Sequence, residues 1–158
     1  MNVSITHTDG VNFKAKTEKA EFDVIPKEIT PVELFAVGTI SCSGTDMIKL
    51  PEKQGYAVKN LQIGAEIVRN EEYPQKFNTM HVTYSFDSTA DDETAKRWVM
   101  ASLETYCSTI NTIRSDVSIT YTIIYNGKTL CDNKAIISGH GSSQGAGIDL
   151  GELDGCGV

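Results

Sequence analysis

The chain has no basic excess, no run long enough for a membrane span, and no paired-cysteine or paired-histidine motif. Each absence removes a class of function. Fourteen Lys and Arg against 21 Asp and Glu leave a formal net charge of −7, so no surplus of positive charge is left to neutralise nucleic acid or anionic lipid. Lys14, Lys16 and Lys19 do cluster, but Glu18 and Glu21 interrupt them, which reads as a solvated hairpin edge. The stretch from Met1 to Gly10 is polar and alternating, without the charged start and apolar run of a secretory leader. No segment nears the roughly 20 apolar residues that cross a bilayer. A cytoplasmic location is therefore the default expectation, with neither nucleic acid nor membrane as a partner.

Cysteine is scarce. The four present, Cys42, Cys107, Cys131 and Cys156, include no Cys-x-x-Cys pair. In a reducing compartment they are not expected to form a disulfide framework. The three histidines (His7, His81, His140) are scattered and form no His-x-x-x-His, so neither zinc nor another cofactor is expected. There is no internal repeat.

What is present is ordinary globular material. A length of 158 residues with 40% apolar and 22% charged side chains suits one domain with a buried core. Alternation marks strands at residues 3–6, 11–15, 20–25, 57–68, 76–86 and 117–125. Asp9-Gly10 reads as a two-residue hairpin turn, and Asn126-Gly127 ends the last strand. On the strand at 76–86, Met80, Val82 and Tyr84 share one face and His81 should point away from it.

Two segments read as helices. Pro31 to about Leu50 is apolar nearly all round (Leu34, Phe35, Val37, Ile40, Met47, Ile48), with Pro31 fitted to a first turn and Thr30 to a cap. Such a helix belongs inside a structure. One sheet covers only one of its sides, so a partner subunit is expected on the other. Asp91 to Arg114 is amphipathic, with Ala95, Val99, Leu103, Tyr106, Ile110 and Ile113 at helical spacing and Thr89 with Asp92 as a capping box. Residues 138–158 form a Gly-rich tail after a domain spanning 1–137.

Each predicted helix carries a cysteine, in Ser41-Cys42-Ser43-Gly44-Thr45-Asp46 and in Tyr106-Cys107-Ser108. Cys42 lies too deep in its helix for the N-terminal dipole to lower its pKa, and Asp46, one turn on, would oppose a thiolate. From the residues alone, Cys42 and Cys107 each read as a small core hydrophobe ahead of half of a redox pair.

Pro31-Val32-Glu33-Leu34-Phe35-Ala36 followed by Ser41-Cys42-Ser43-Gly44-Thr45-Asp46 resembles the first cysteine helix of the OsmC/Ohr family, the osmotically inducible protein C and organic hydroperoxide resistance proteins. Tyr106-Cys107-Ser108 resembles the second landmark, a Tyr-Cys-Ser on an amphipathic helix after a strand pair. The order of elements agrees from about residue 3 to 125, and the first motif is closer to the OsmC-like branches than to the Ohr branch. The resemblance implies an α+β, OsmC-like fold of about six mostly antiparallel strands and two main helices, built as an intertwined homodimer.

It also implies a thiol-dependent peroxidase acting in oxidative-stress defence. Cys42 would attack an organic hydroperoxide and become a sulfenic acid, and Cys107 would condense with it to a disulfide that a dithiol reductant opens. Glu33 matches the acidic position that in the family holds a thiolate-stabilising arginine. Residues 1–30, where the family places that arginine, contain none; Arg69, Arg97 and Arg114 belong to other elements. Glu33 reads equally well as a first-turn residue favoured by the helix dipole. The rival readings are an OsmC-fold protein binding a small apolar ligand at the dimer cleft, and a redox sensor without fast turnover. Cys131 reads as incidental and Cys156 as a tail thiol.

Overall fold

The structure, a computed structural model, describes residues 1–136. The Gly-rich tail, with His140 and Cys156, lies outside the described residues. The chain divides into two compact units, Met1–Gly38 and the remainder from Thr39.

The first unit holds β1 (Val3–His7), β2 (Phe13–Thr17) and β3 (Glu21–Val24), an antiparallel sheet in that order. The β1–β2 connection is longer than a two-residue turn. Pairing stops at His7↔Phe13, and the turn closes through Asn12 N–H to the Asp9 carbonyl at 2.8 Å, with Gly10 at φ +55°. The lysine cluster is solvated, but on the exposed face of the central strand rather than at an edge: Lys14 pairs with Asp23 at 3.0 Å and Lys16 with Glu21 at 3.1 Å across β2 and β3. Exposed pairs of this kind contribute little stability.

Helix α1 (Pro31–Lys53) begins in the first unit and ends in the second. Its start follows from sequence: Thr30 Oγ1 accepts from Glu33 N–H at 3.2 Å, and the Glu33 carboxylate accepts from Thr30 N–H at 2.8 Å. This reciprocal capping box has Pro31 at the first helical position.

The second unit contains the four-stranded sheet β4 (Lys59–Arg69), β5 (Phe77–Asp87), β6 (Ser118–Tyr125) and β7 (Lys128–Ala135), ordered β4-β5-β6-β7. β5 and β6 run parallel, because the helical segment between them crosses over, while the other neighbours are antiparallel. β7 adds a strand to the six expected. Asn126 (φ 48°) and Gly127 (φ 75°) adopt the left-handed backbone of a tight hairpin, so that dipeptide turns the chain into β7 rather than ending the sheet. Cys131 therefore sits within β7, opposite Ile123.

Alternation on β5 buries Met80, Val82, Tyr84 and Phe86, and β6 adds Ile119, Tyr121, Ile123 and Tyr125. Helix α2 (Asp92–Ala101) lays Ala95, Trp98 and Val99 into the same core, joined by Met47 and Leu50 of α1. Trp98 donates to Gln54 Oε1 at 2.8 Å, so its indole N–H stays paired although the ring is fully buried. Asp91, rather than Thr89, caps α2; its carboxylate accepts from Glu93 N–H and Thr94 N–H. It lies next to the first helical residue and can take both free N–H groups.

Helix α1 departs from the all-round apolar reading. The side chains it buries include Thr39, Ser43 and Asp46, while Phe35, Val37 and Ile48 remain exposed in the single chain. Its buried stripe is polar over two turns.

A candidate thiol site

The expected helix over 91–114 is interrupted at Cys107. After α2, Ser102–Tyr106 form one π-helical turn, Cys107 is extended (φ −70°, ψ 100°), and α3 (Ser108–Ile113) begins after it. Cys107 is thus at a junction, not inside a helix. The segment is rich in hydroxyl and amide side chains that compete with helical bonding. Asn111 Nδ2 donates to the Cys107 carbonyl at 2.8 Å and to the Leu103 carbonyl at 3.3 Å, satisfying acceptors that the break exposes. Thr109 Oγ1 reaches across to the Thr39 carbonyl of α1 at 3.1 Å. The wider turn closes through Cys107 N–H to the Ser102 carbonyl at 2.8 Å.

This junction brings the two thiols together. Cys42 lies beside Cys107, close enough for the two side chains to interact, and neither is in a disulfide. Cys107 is fully buried, its Sγ 3.2 Å from Thr109 Oγ1 and 3.9 Å from the Thr39 carbonyl, whereas Cys42 is half-buried. Burial pushes the Cys107 thiol up to about 12; Thr109 and the Ile110 N–H oppose the shift, and the neighbouring Cys42 adds to it. One thiol comes from α1 and the other from the break before α3, so two elements distant in sequence place them side by side.

The family model of OsmC-like proteins matches residues 26–122, which span both cysteines and the strands β4 and β5 between them. The chain belongs to the OsmC-like family. Its fold agrees with solved OsmC-like structures. An Aquifex aeolicus hypothetical protein is 24% identical, with a TM-score of 0.70 over 79% of this chain and 96% of its own. An OsmC-like protein from Mycoplasma pneumoniae is 13% identical, with a TM-score of 0.66 over 78% and 95%. The organic hydroperoxide resistance protein OhrB of Bacillus subtilis is 18% identical, with a TM-score of 0.52 over 78% and 98%. No curated protein matches the chain.

Within this OsmC-like frame, Glu33 is held by Thr30. Besides the backbone bond of the capping box, its carboxylate accepts from Thr30 Oγ1 at 2.7 Å, and these bonds lower its pKa. Among the described residues, no group of three or more His, Cys, Asp or Glu forms a metal set, and no helix is long and apolar enough to cross a membrane.

Sequence reasoning missed a second set of polar groups in the same core. Tyr84 OH on β5 lies 2.6 Å from Ser43 Oγ, Ser43 Oγ lies 2.8 Å from Ser102 Oγ, and Ser102 donates to Asp46 Oδ2 at 2.9 Å. Burial raises the Asp46 carboxyl to about 6, against the pull of Ser102 and Lys49. The same cause pushes the Tyr84 hydroxyl well above its ordinary value. A signal was available: Thr39, Ser43 and Asp46 recur at four- and three-residue steps, one face of a helix otherwise rich in apolar residues.

Proposed function

We propose that this OsmC-like protein is a thiol-dependent peroxidase that reduces organic hydroperoxides through Cys42 and Cys107. The observation that carries the reading is the approach of these two thiols, one half-buried and one fully buried. That asymmetry supports a division of roles. A buried thiol raised to about 12 is a poor first nucleophile, so Cys42 attacks and Cys107 resolves.

The thiolate of Cys42 attacks one peroxide oxygen, the O–O bond breaks, and the alkoxide takes a proton and leaves as an alcohol. Cys42 is then a sulfenic acid. Cys107 attacks its sulfur, an S–S bond forms, and the hydroxyl departs as water with the Cys107 proton. A cellular dithiol returns two electrons and two protons by thiol–disulfide exchange. Glu33 serves this site at one remove, by capping the helix that carries Cys42.

We also propose that the working unit is a homodimer. β1 is exposed along its whole length, with Val3 and Ile5 uncovered, and α1 exposes Ile48. Apolar faces of this kind are ordinarily covered by a partner. The absence of arginine from residues 1–30 favours a second reading, an OsmC-fold protein without peroxidase activity that binds a small apolar ligand or serves as a redox sensor.

Turnover of cumene hydroperoxide with a lipoyl dithiol as reductant tests the enzyme reading. Activity abolished in Cys42→Ser supports it, and wild-type protein no faster than a free thiol overturns it in favour of the reading without peroxidase activity.

A further inference from the structure

The chain of Tyr84, Ser43, Ser102 and Asp46 is not required for packing. Apolar side chains would fill the same volume without desolvating polar groups. Yet Tyr84, Ser43 and Ser102 are completely buried and Asp46 nearly so, and each is satisfied by another member of the chain. Its geometry gives it direction. A carboxylate only accepts, so ionised Asp46 accepts the hydrogen bond from the Ser102 hydroxyl, which leaves Ser102 to accept from Ser43, and Ser43 to accept from Tyr84.

Ser102 is the branch point. Its hydroxyl is in this chain, and its carbonyl receives the Cys107 N–H that closes the π-helical turn. A turn of this kind costs regular helical bonding and recurs where a side chain must be re-aimed. Here it directs Cys107 toward Cys42.

We propose that Asp46 is a positioning residue for Cys107. Its carboxylate grips the Ser102 hydroxyl, and Ser102 carries the turn that delivers Cys107 to its partner thiol. The groups facing Asp46 are Ser102 from the π-helical turn, Tyr84 from β5 and, along its own helix, Lys49. Asp46 itself titrates near pH 6, so the grip on Ser102 tightens as pH rises through that value. The inference goes beyond peroxidase activity: it requires only that the two thiols can join.

The experiment measures the equilibrium between the full-length protein and dithiothreitol, reading the Cys42–Cys107 link by peptide mass. Oxidised dithiothreitol takes two hydrogens and two electrons from the cysteine pair, and an S–S bond forms in the protein. In the wild type the constant for closure rises between pH 5 and 7.5 by about tenfold, the worth of one charge-assisted hydrogen bond. Asp46→Asn keeps the shape but cannot ionise. Its profile lacks that rise, and at pH 7.5 its constant is lower than wild type by about the same factor. Ser102→Ala shows an equal loss, and the double variant loses no more, because both act through one bond. Should Ser102→Ala fail to fold by circular dichroism, the Asp46→Asn profile decides alone. A rise retained in Asp46→Asn, a constant at pH 7.5 no lower than wild type, or losses that multiply in the double variant overturns the proposal. None of these outcomes depends on peroxide turnover, so failure here is distinguishable from failure of the enzyme reading.

Discussion

Asp46 and Ser102 are joined by a buried hydrogen bond of 2.9 Å between α1 and the turn that precedes Cys107. The carboxyl is raised to about 6, so at neutral pH the fold holds a charge that it would be more stable without. The reason lies in position: the same serine's carbonyl accepts the Cys107 N–H. Stability given up at a buried charge is the usual mark of a site arranged for chemistry.

Asp46 fixes the sign of one pH dependence. Its folded pKa of about 6 exceeds the ordinary 3.8, so its destabilising effect is absent below about pH 4 and grows as pH rises toward 6. Two units correspond to about 3 kcal/mol, complete above the folded value. Thermal melts of wild type and Asp46→Asn from pH 4 to 8 should show the variant gaining on the wild type up to about pH 6 and then running parallel. Parallel profiles across the whole range would contradict the assignment.

The two cysteines should differ in reactivity. With its thiol at about 12, Cys107 is thiolate in roughly one molecule in ten thousand at pH 8, and it is fully buried. Iodoacetamide at that pH should label Cys42 first, with Cys107 modified only on unfolding. Peptide mapping of a time course checks this, and equal labelling rates would remove the basis for their roles.

Tyr84→Phe deletes the hydroxyl at the far end of the chain while Ser43 keeps its bond to Ser102. The expected cost is about 1 kcal/mol, read as a lower denaturation midpoint at unchanged slope. An unchanged midpoint would mean that the 2.6 Å contact to Ser43 contributes nothing.

Much of this was legible in the sequence, and what was not has physical causes. The strand alternation at Met80, Val82 and Tyr84, the Thr30 cap and the two cysteine motifs of an OsmC-like chain follow from local pattern. The strand at 128–135 was not apparent, because Lys128, Asp132, Asn133 and Lys134 break its apolar rhythm at the edge of the sheet. The break at Cys107 was hidden for another reason. Leu103, Tyr106 and Ile110 keep helical spacing through it, while the Asn111 side chain takes up a backbone carbonyl locally and Thr109 bonds one on α1 by tertiary contact. The polar stripe on α1 was readable in spacing but masked by its many apolar neighbours. Only folding shows that Thr39, Ser43 and Asp46, not Val37 and Ile48, face inward.

The most direct test is to treat the reduced protein with one equivalent of cumene hydroperoxide, block remaining thiols and map the peptides. The expected product is a single Cys42–Cys107 disulfide, two hydrogens lighter than the dithiol, formed in wild type and absent from Cys42→Ser. Recovery of both cysteines as free thiols, or over-oxidation of Cys42 with Cys107 untouched, would contradict the pairing.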